Sequence, residues 1–579
     1  MTYGSMDLSF SCKAVENTCG FISKANTRYL KREVVANGKR QSHSFFPIGP
    51  NVAWYTCKSY YNFATPYGIY EYERRIDSLA GRANYMRIWL NRTQYLSLYG
   101  YEYTQTVGGN PPLYFDNTLN QKDAAELDHI IQYAAKNGIA IMPCIFTCGD
   151  FIADPKHDGA LDKYPADWRL NPYHTELGLK TPTDFFTDKG AQRIARNLIR
   201  YIIARWGYAT NIVAWELWNE ISNMDLDKQA YDKYCDIVTQ WHNDMARYVR
   251  SNDPFHHLVT TSIGYESESI LFNRIFNDLD IVQYHHYANV QKARSKELIS
   301  HQLYLASLKE QKVYPKKLFF IGEFGFGSSD SQRYLEKDPH GIDLHNTLWS
   351  TLFSGTMSSA SFWQWTALDK CGTHKAFKPM YIFSKSLPIL SDSFDPRTTG
   401  EISKASKNKL VFPNSLETYY MVNAAEDTLY GWSQDTIFTY QSLRRLSDKV
   451  GSNEHFVDDG VEDAKGYVYT LNANKRPRPS SRSNTITLPI LRQPDGTVYN
   501  VRWYDSETGG ELTSERTTAT VKGKALTIEF PSSIRDLRKR SINNTFGDAV
   551  FVITCADNEK GSTPKSNAAR KAKIIPTKR

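Results

Sequence analysis

Short apolar runs that end abruptly in polar side chains recur along the first 410 residues. In one of them, residues 212–217 are apolar apart from Glu216, and Trp218, Asn219 and Glu220 follow at once. Such a run between polar segments is typical of a parallel strand that is buried on both faces. Because ligands of parallel α/β folds gather at the carboxyl ends of the strands, we expect the polar groups after this run to face a ligand.

Eight such runs, separated by helical patterns or loops, predict a (β/α)8 barrel that ends near residue 410. In the first clear helical pattern Leu127, Ile130, Ile131 and Ala134 share one face, and Gly138 follows as a stop signal. The predicted strands cover residues 45–54, 85–90, 139–146, 211–220, 257–263, 279–287, 317–326 and 358–365, and the predicted helices cover residues 122–137, 188–206, 229–250 and 347–354.

A second carboxylate follows the same pattern in the seventh run. Glu323 lies there between Gly322 and Gly325, 103 positions after Glu220. That separation corresponds to about three strand–helix units of roughly 30 residues each. The two glutamates would therefore close the fourth and the seventh strand, and both would face the same mouth of the barrel.

The pattern changes after residue 410, where short β-like runs alternate with turns. This change predicts a second domain, a β-sandwich over residues 411–557. Such a domain would bind carbohydrate or brace the barrel, and we favour bracing. The barrel would occupy residues 46–410, behind an N-terminal segment, residues 1–45, with short strands. Residues 558–579 form a basic tail, which we interpret as solvated.

Composition narrows the function classes. Aromatic residues make up 13% of the chain, with 12 Trp and 37 Tyr. Aromatic rings stack on sugar C–H faces, although large aromatic cores explain the same richness. The net charge is +8, but no clustered face of basic and aromatic residues supports nucleic-acid binding. No run of 18 apolar residues is present, so we expect no membrane span. The sequence leaves the oligomeric state open.

The eight cysteines do not form a disulfide framework in a chain of this length. Cys144 and Cys148 flank a strand end, too far apart to bridge if extended, and no second pair follows at zinc-site spacing. We expect free cysteines in the core, no metal and no cofactor. No apolar leader is visible, and Gly4-Ser5-Met6 is compatible with a cloning scar that replaced one. With a leader replaced in this way, we expect a secreted, periplasmic or cell-surface protein.

The segments Trp215-Glu216-Leu217-Trp218-Asn219-Glu220 and Ile321-Gly322-Glu323-Phe324-Gly325 resemble those of retaining β-glycosidases of the large (β/α)8 clan. The similarity is closest to glycoside hydrolase family 5, which contains cellulases and mannanases. It implies that Glu323 is the nucleophile, that Glu220 is the acid/base, and that Asn219 binds the sugar 2-hydroxyl. The implied reaction is hydrolysis of β-glycosidic bonds in a poly- or oligosaccharide through a covalent glycosyl-enzyme.

The resemblance implies further contacts on other strands. Arg87 on strand two would support the nucleophile, although a core salt bridge is the alternative. His285 and Tyr287 match a His-x-Tyr pattern on strand six, where Tyr287 would hydrogen-bond the nucleophile and His285 would line the site. Glu216 would be a structural partner for an Arg or a His inside the barrel.

Aromatic groups and one departure complete the predicted site. Trp363 or Trp365 on strand eight would form the sugar platform, unless it packs in the barrel, and Trp54 closes strand one. Family 5 enzymes commonly have a His at the end of strand three, and here that position has none. We expect Asp150 or Thr147 to replace it.

Two other functions use the same residues. A carbohydrate-binding barrel without catalysis would retain the cleft, although intact Glu220 and Glu323 argue against it. A transglycosylase would share all of these groups and differ in how it excludes water. The loops at residues 91–121 and 151–187 would decide the sugar and the choice between exo and endo action, and their length weakly favours exo action.

Overall fold

A computed structural model provides the three-dimensional structure. It describes residues 19–36, 39–54, 68–90, 96–101, 112–152, 168–224, 231–264, 273–288, 298–326, 338, 340–365, 367–368, 372–388, 390, 393–403, 409–412, 416–436, 438–439, 447–453, 466–471, 484–535 and 547–556. Parts of the loops at 91–121 and 151–187, and the basic tail 558–579, lie outside these residues.

Strands and helices alternate in the first two thirds of the chain. The strands are β1 (Cys19–Lys24), β2 (Leu30–Ala36), β3 (Lys39–Phe45), β4 (Tyr85–Trp89), β5 (Gly100–Tyr101), β6 (Leu113–Tyr114), β7 (Ala140–Thr147), β8 (Ala214–Asn219), β9 (Leu258–Thr260), β10 (Ser262–Ile263), β11 (Ile281–Ala288) and β12 (Leu318–Phe326). The helices are α1 (Ile69–Leu79), α2 (Gln121–Lys136), α3 (Pro172–Thr175), α4 (Lys189–Trp206), α5 (Tyr231–Asn252), α6 (Ile299–Val313), α7 (Ile342–Leu352) and α8 (Phe377–Ser384).

The helix caps explain the observed boundaries. The Asn120 side chain accepts hydrogen bonds from two backbone N–H groups at the start of α2, and the Asp188 side chain accepts one, from Ala191, at the start of α4. α7 begins five residues before its predicted start. The Asp338 carboxylate accepts hydrogen bonds from the Ile342 and Asp343 backbone N–H groups, at 2.7 and 2.8 Å, and these bonds fix the earlier first turn.

Two parallel sheets carry the predicted strands, in the orders β4-β7-β8-β9 and β10-β11-β12. The Asp280 N–H donates to the Val259 carbonyl at 2.9 Å and thereby links the two sheets. The first and eighth predicted strands are not regular strands, but backbone bonds hold them in place. The Asn51 N–H donates to the Phe362 carbonyl at 2.8 Å, and isolated parallel bridges join Asn51 to Arg87 and Phe324 to Phe362.

The interior changes character from one end of these strands to the other. At their amino ends an apolar cluster is completed by Ile22, Leu30 and Phe45 of the antiparallel sheet β1-β2-β3. The N-terminal segment therefore covers the lower end of the parallel strands. The next positions along the strands are polar and buried, and they lead to the carboxyl ends where Asn219 lies.

The C-terminal part is antiparallel. Its elements are β13 (Phe394–Thr398), β14 (Glu401–Ser403), β15 (Lys409–Val411), β16 (Leu416–Asn423), β17 (Thr428–Asp435), β18 (Ser447–Asn453), β19 (Gly466–Leu471), β20 (Thr485–Pro489), β21 (Val498–Asp505), β22 (Thr517–Thr520), β23 (Ala525–Glu529), α9 (Ser532–Arg535) and β24 (Asp548–Cys555). Six strands form one sheet, in the order β13-β16-β17-β24-β21-β22, and an apolar core includes residues of this sheet and of the β20-β23 pair. Short strands thus alternate with turns after residue 410, as the sequence predicts.

The C-terminal sheet also packs against the first part of the chain. The His345 ring on α7 lies 2.7 Å from the Asp548 carboxylate, and the rings of Tyr304 and Tyr419 are 4.6 Å apart. These contacts join the C-terminal sheet to α6 and α7. Because β13 pairs with β16, the sheet takes in residues that precede the predicted boundary at 410. Among the described helices, none combines the length and apolar character that a membrane span requires.

Candidate active site

Glu220 follows β8 in a strained backbone conformation. Its φ and ψ are 49° and 54°, a left-handed region that non-glycine residues enter at a cost. Two polar contacts hold it there. The Glu220 N–H donates to Ser262 Oγ at 2.9 Å, and Asn223 Nδ2 donates to Glu220 Oε2 at 2.7 Å. The left-handed conformation and these two contacts together set the direction in which the Glu220 carboxylate leaves the strand.

Glu323 is aimed inward by an irregularity in β12. The pairing of β11 with β12 shifts by one residue at Gly322, so that His285 lies opposite Glu323. A Cβ on Gly322 would come within 2.3 Å of the Gln283 amide, and one on Gly325 within 2.0 Å of Gln364. The two glycines therefore allow neighbouring side chains to approach the strand on either side of Glu323.

Arg87 on β4 connects the interior to both strand ends. Its guanidinium is completely buried and lies 2.6 Å from Glu216 Oε2 and 2.6 Å from Glu323 Oε1. It also donates to Asn219 Oδ1 at 2.7 Å and to Asn51 Oδ1 at 3.0 Å. Arg87 thus makes a buried salt bridge to Glu216 and also contacts Glu323, and its support of a nucleophile stays a prediction. The expected partner for Glu216 is confirmed.

β11 contributes the predicted His and Tyr. His285 Nδ1 lies 2.8 Å from Glu220 Oε1 and 3.3 Å from Glu323 Oε2, so the ring bridges the two carboxylates. Tyr287 donates a short hydrogen bond to Glu323 Oε2. His286 points elsewhere and contacts Gln302 Oε1 at 2.7 Å.

The two carboxylates and His285 form one compact group. One oxygen from each carboxylate and one ring nitrogen all lie within 4.8 Å of one another. The Glu220 side chain is 17% exposed, whereas that of Glu323 is 3% exposed. A divalent cation would find three suitable donors here. The Arg87 guanidinium already supplies positive charge at Glu323, which favours the interpretation as an acid–nucleophile pair.

The environment separates the proton affinities of these groups. Burial raises the pKa of Glu220 to about 7, against the opposing effects of the Asn223 hydrogen bond and the Arg87 charge. Burial also raises the pKa of Glu323, but His285, Arg87 and the Tyr287 hydrogen bond act in the opposite direction. The pKa of His285 is lowered to about 4, chiefly by burial, so its ring is neutral near pH 7.

Four tryptophans pack together near the first, second and eighth strands. Trp54 is 4.8 Å from Trp365 and 5.5 Å from Trp363, measured between ring centroids, and Trp89 is 5.3 Å from Trp363. Trp54 and Trp365 are buried, whereas Trp89 and Trp363 are partly exposed. Trp363 is therefore better placed than Trp365 to offer a face to a sugar. Trp89 lies two residues after Arg87 in β4, so the two side chains are on the same side of the strand.

The end of strand three places Cys148 in the site. Cys148 is partly exposed, and its Sγ lies 3.9 Å from Asn219 Nδ2. Thr147 is buried opposite Asn219 in the sheet register, and Asp150 is completely buried. A role for Asp150 or Thr147 in substrate binding stays a prediction. Cys148 was missed, although its position directly after a strand end was a usable signal.

The part of the chain that carries these side chains is similar to known proteins. Residues 83–368 match the family model described as cellulase, glycosyl hydrolase family 5. The chain is 31% identical over 91 residues to mannan endo-1,4-beta-mannosidase A of Aspergillus aculeatus, covering 16% of this chain and 22% of that protein. It is 27% identical over 177 residues to mannan endo-1,4-beta-mannosidase F of Aspergillus clavatus, covering 29% and 35% of the two chains. The chain thus spans well under half the length of these curated relatives.

A solved structure shows a weak overall similarity. The endo-1,4-beta-mannanase from Rhizomucor miehei superposes with a TM-score of 0.39 and 16% identity, over 59% of this chain and 90% of that one.

Proposed function

We propose that this chain is a retaining glycoside hydrolase, because residues 83–368 match the family model of glycosyl hydrolase family 5. It cleaves β-glycosidic bonds in a poly- or oligosaccharide by double displacement. The backbone hydrogen bonds that link the first and eighth predicted strands support closure of the strands into a (β/α)8 barrel. The C-terminal sheets would form a β-sandwich that braces the barrel, with the division between them before β13.

The spacing of the two carboxylates carries this proposal. Retaining enzymes hold their two carboxyl groups about 5–5.5 Å apart, whereas inverting enzymes leave about 6.5–9.5 Å for a water molecule. Here an oxygen of Glu220 and an oxygen of Glu323 lie within 4.8 Å of each other. This separation favours the short spacing of the retaining enzymes, so direct attack by one carboxylate on the sugar is the reaction that fits.

Their surroundings assign the two roles. Glu323 is paired with Arg87 and Tyr287, which favour its ionised form, so it is the nucleophile. Glu220 is more exposed, lacks a direct ion pair with Arg87 and has the pKa of about 7, so it holds a proton for the leaving group. The negative charge of Glu323 also disfavours ionisation of Glu220, which helps Glu220 to keep its proton.

The first step breaks the glycosidic bond. A Glu323 oxygen attacks the anomeric carbon while Glu220 transfers its proton to the departing oxygen, which leaves as an alcohol. The product is a glycosyl ester of Glu323. Esterification removes the negative charge of Glu323, so the pKa of Glu220 falls and the carboxylate becomes a suitable base. It then takes a proton from water, whose oxygen displaces Glu323 and restores both groups.

The substrate proposal is a β-1,4-linked mannan or its oligosaccharides. Its support is the printed description of the curated relatives as mannan endo-1,4-beta-mannosidases. Asn219 would hydrogen-bond the 2-hydroxyl and Trp363 would stack on the sugar face, with Trp54 and Trp365 packed behind it. A polymeric substrate of this kind fits a secreted, periplasmic or cell-surface location.

A substrate panel tests the proposal. We expect release of reducing sugar from β-1,4-mannan above that from β-glucan, xylan and galactan. In the wild-type reaction, NMR should show the β-anomer of the product before mutarotation. Initial release of the α-anomer would contradict the retaining mechanism, and transfer to added alcohol in place of hydrolysis would indicate a transglycosylase. Binding of mannan without turnover would support the binding-protein alternative.

The pH dependence of the reaction follows from Glu220. Because the acid must be protonated and its pKa is raised to about 7, kcat/KM should fall as pH rises through about 7. Activity on an aryl glycoside with a good leaving group needs less proton transfer, so Glu220→Gln should retain more activity there than on mannan. Its profile should also lose the alkaline decline, and an unchanged decline in that variant would contradict the assignment.

Thermal unfolding provides a check that needs no substrate. The folded-state pKa of Glu220 lies above its ordinary value of 4.5, so the folded protein keeps a proton that the unfolded chain releases. Its stabilising contribution is present below pH 4.5 and is lost as pH rises through about 7. Glu220→Gln should therefore gain melting temperature relative to wild type between those pH values, and keep that gain above pH 7.

A further inference from the structure

Cys148 lies in the cleft beside the two carboxylates. It begins the 3-10 helix Cys148–Phe151, directly after β7. Of the four free cysteines that the structure describes, Cys144, Cys235 and Cys555 are buried, and only Cys148 is partly exposed. A molecule that enters the cleft therefore meets the Cys148 thiol and none of the other three.

The neighbouring Asn219 amide points to a ligand at this position. The Asn219 side chain is 1% exposed, and its Oδ1 accepts a hydrogen bond from Arg87 at 2.7 Å. Its Nδ2 can donate twice, yet across the described part of the chain its contact is the Cys148 sulfur at 3.9 Å, and no oxygen accepts from it. A buried donor left with such a weak acceptor is costly, so a ligand hydroxyl would complete it.

We propose that Cys148 is a further contact residue of the glycan cleft. Its thiol and the Asn219 amide flank the same sugar hydroxyl, and covalent capping of the thiol closes the cleft to substrate. This inference rests on the proposed function, because it identifies the ligand as a glycan. Cys148 would make the cleft of this chain sensitive to thiol reagents.

The electrostatic surroundings fit a neutral thiol contact. Burial, followed by the charges of Glu220 and Glu323, holds the pKa of Cys148 well above its ordinary value. The group is therefore a protonated thiol near pH 7, and its weak S–H donor can meet a hydroxyl lone pair. The thiolate is the reactive form, so labelling should be slow in the wild type and faster when either carboxylate is neutralised.

Capping is the reaction of a thiol with a thiosulfonate, which leaves a disulfide on the protein. With methyl methanethiosulfonate, the Cys148 sulfur, after losing its proton to solvent, attacks the methylthio sulfur of the reagent. A new S–S bond forms, the bond to the sulfonyl sulfur breaks, and methanesulfinate leaves. The added group is one S–CH3, and a small thiol reductant removes it again.

The first experiment measures labelling, not activity. Peptide mass spectrometry should show that Cys148 reacts in the folded protein while Cys144, four residues away in the same strand region, does not. Glu323→Gln should label faster than wild type at the same pH. That variant should not hydrolyse the substrate. In its presence, a mannan oligosaccharide at ten times its Kd should slow labelling of Cys148 about tenfold.

The second experiment compares activity before and after capping. Capping should abolish wild-type activity, and reduction should restore it. Cys144→Ser should remain sensitive to the reagent, because the Cys144 sulfur that this variant removes is buried. Cys148→Ser should give the same activity with and without reagent, whatever its starting level, and its KM should differ from that of wild type. A sensitive Cys148→Ser variant would overturn the proposal.

These results separate the inference from the proposed function. The enzyme could be active and keep full activity after capping, or its Cys148 could label at the same rate with and without glycan. Either result would leave the glycosidase proposal standing and overturn the role of Cys148. Enzyme that is inactive on every glycan tested, but whose Cys148 is protected by one of them, fails as a hydrolase while the contact stands. Absence of protection by every glycan overturns the contact.

Discussion

Glu323→Gln is expected to lower kcat on the active glycan by a factor on the order of 10³ or more. This corresponds to a loss of about 4 kcal/mol of transition-state stabilisation. The amide has nearly the same shape as the carboxylate. Its single oxygen can still accept from Arg87, and its nitrogen then takes the place of Oε2 and donates to the Tyr287 hydroxyl. It cannot form the covalent glycosyl ester. The loss should therefore appear in kcat, with a much smaller change in KM.

Chemical rescue distinguishes a missing nucleophile from a damaged fold. Glu323→Ala leaves space beside the anomeric carbon, and azide added to that variant should restore turnover of an activated aryl β-glycoside. The product should be the α-glycosyl azide, because azide attacks from the side that Glu323 occupies. Glu310→Gln on α6 is a matched control, since Glu310 is also buried and lies outside the cleft. Equal activity of wild type and Glu323→Gln would refute the nucleophile assignment.

Local patterns were sufficient to predict the central pair. Each glutamate follows an apolar run, and their spacing placed them on strands that share one mouth. The resemblance also pointed to Arg87 on the second strand, which contacts both Glu216 and Glu323. These residues could be found because strand period and strand order decide their positions, and both can be read from sequence.

Other features depend on contacts between distant segments. The bulge at Gly322 that aims Glu323 depends on the pairing of β11 with β12. The early start of α7 depends on the Asp338 carboxylate, which lies outside the apolar period of the helix. Similarly, β13 belongs with the C-terminal sheet because it pairs with β16. A pattern within one segment contains none of this information.

The surroundings of the third strand's end also depend on packing that the sequence does not contain. Thr147 and Asp150, the two residues expected in place of the histidine, are both buried. Cys148 was treated as a core residue because free cysteines are usually buried. The short helix that begins at Cys148 turns its side chain toward Asn219 instead.

Arg87→Met is expected to be the most destabilising single substitution in the cleft. Arg87 is the positive partner of Glu216 and Glu323 and has no exposed surface. Burial opposes its charge, but the two glutamates keep its pKa raised. Removing one partner of a buried ion pair costs about 3–5 kcal/mol, because the remaining charge is left uncompensated. Here two carboxylates lose their partner, and Asn51 and Asn219 each lose a donor.

Denaturant unfolding at pH 7 measures this loss, and Arg193→Met is the matched control. Arg193 also pairs with a carboxylate, Asp116, at 2.7 Å, but it is 53% exposed. An exposed pair contributes about 0–1 kcal/mol, so the control should lose no more than that. Adding Glu216→Met to Arg87→Met removes one of the stranded charges and should recover part of the lost stability. Equal stability of Arg87→Met and Arg193→Met would contradict the central place of Arg87 in the buried charge network.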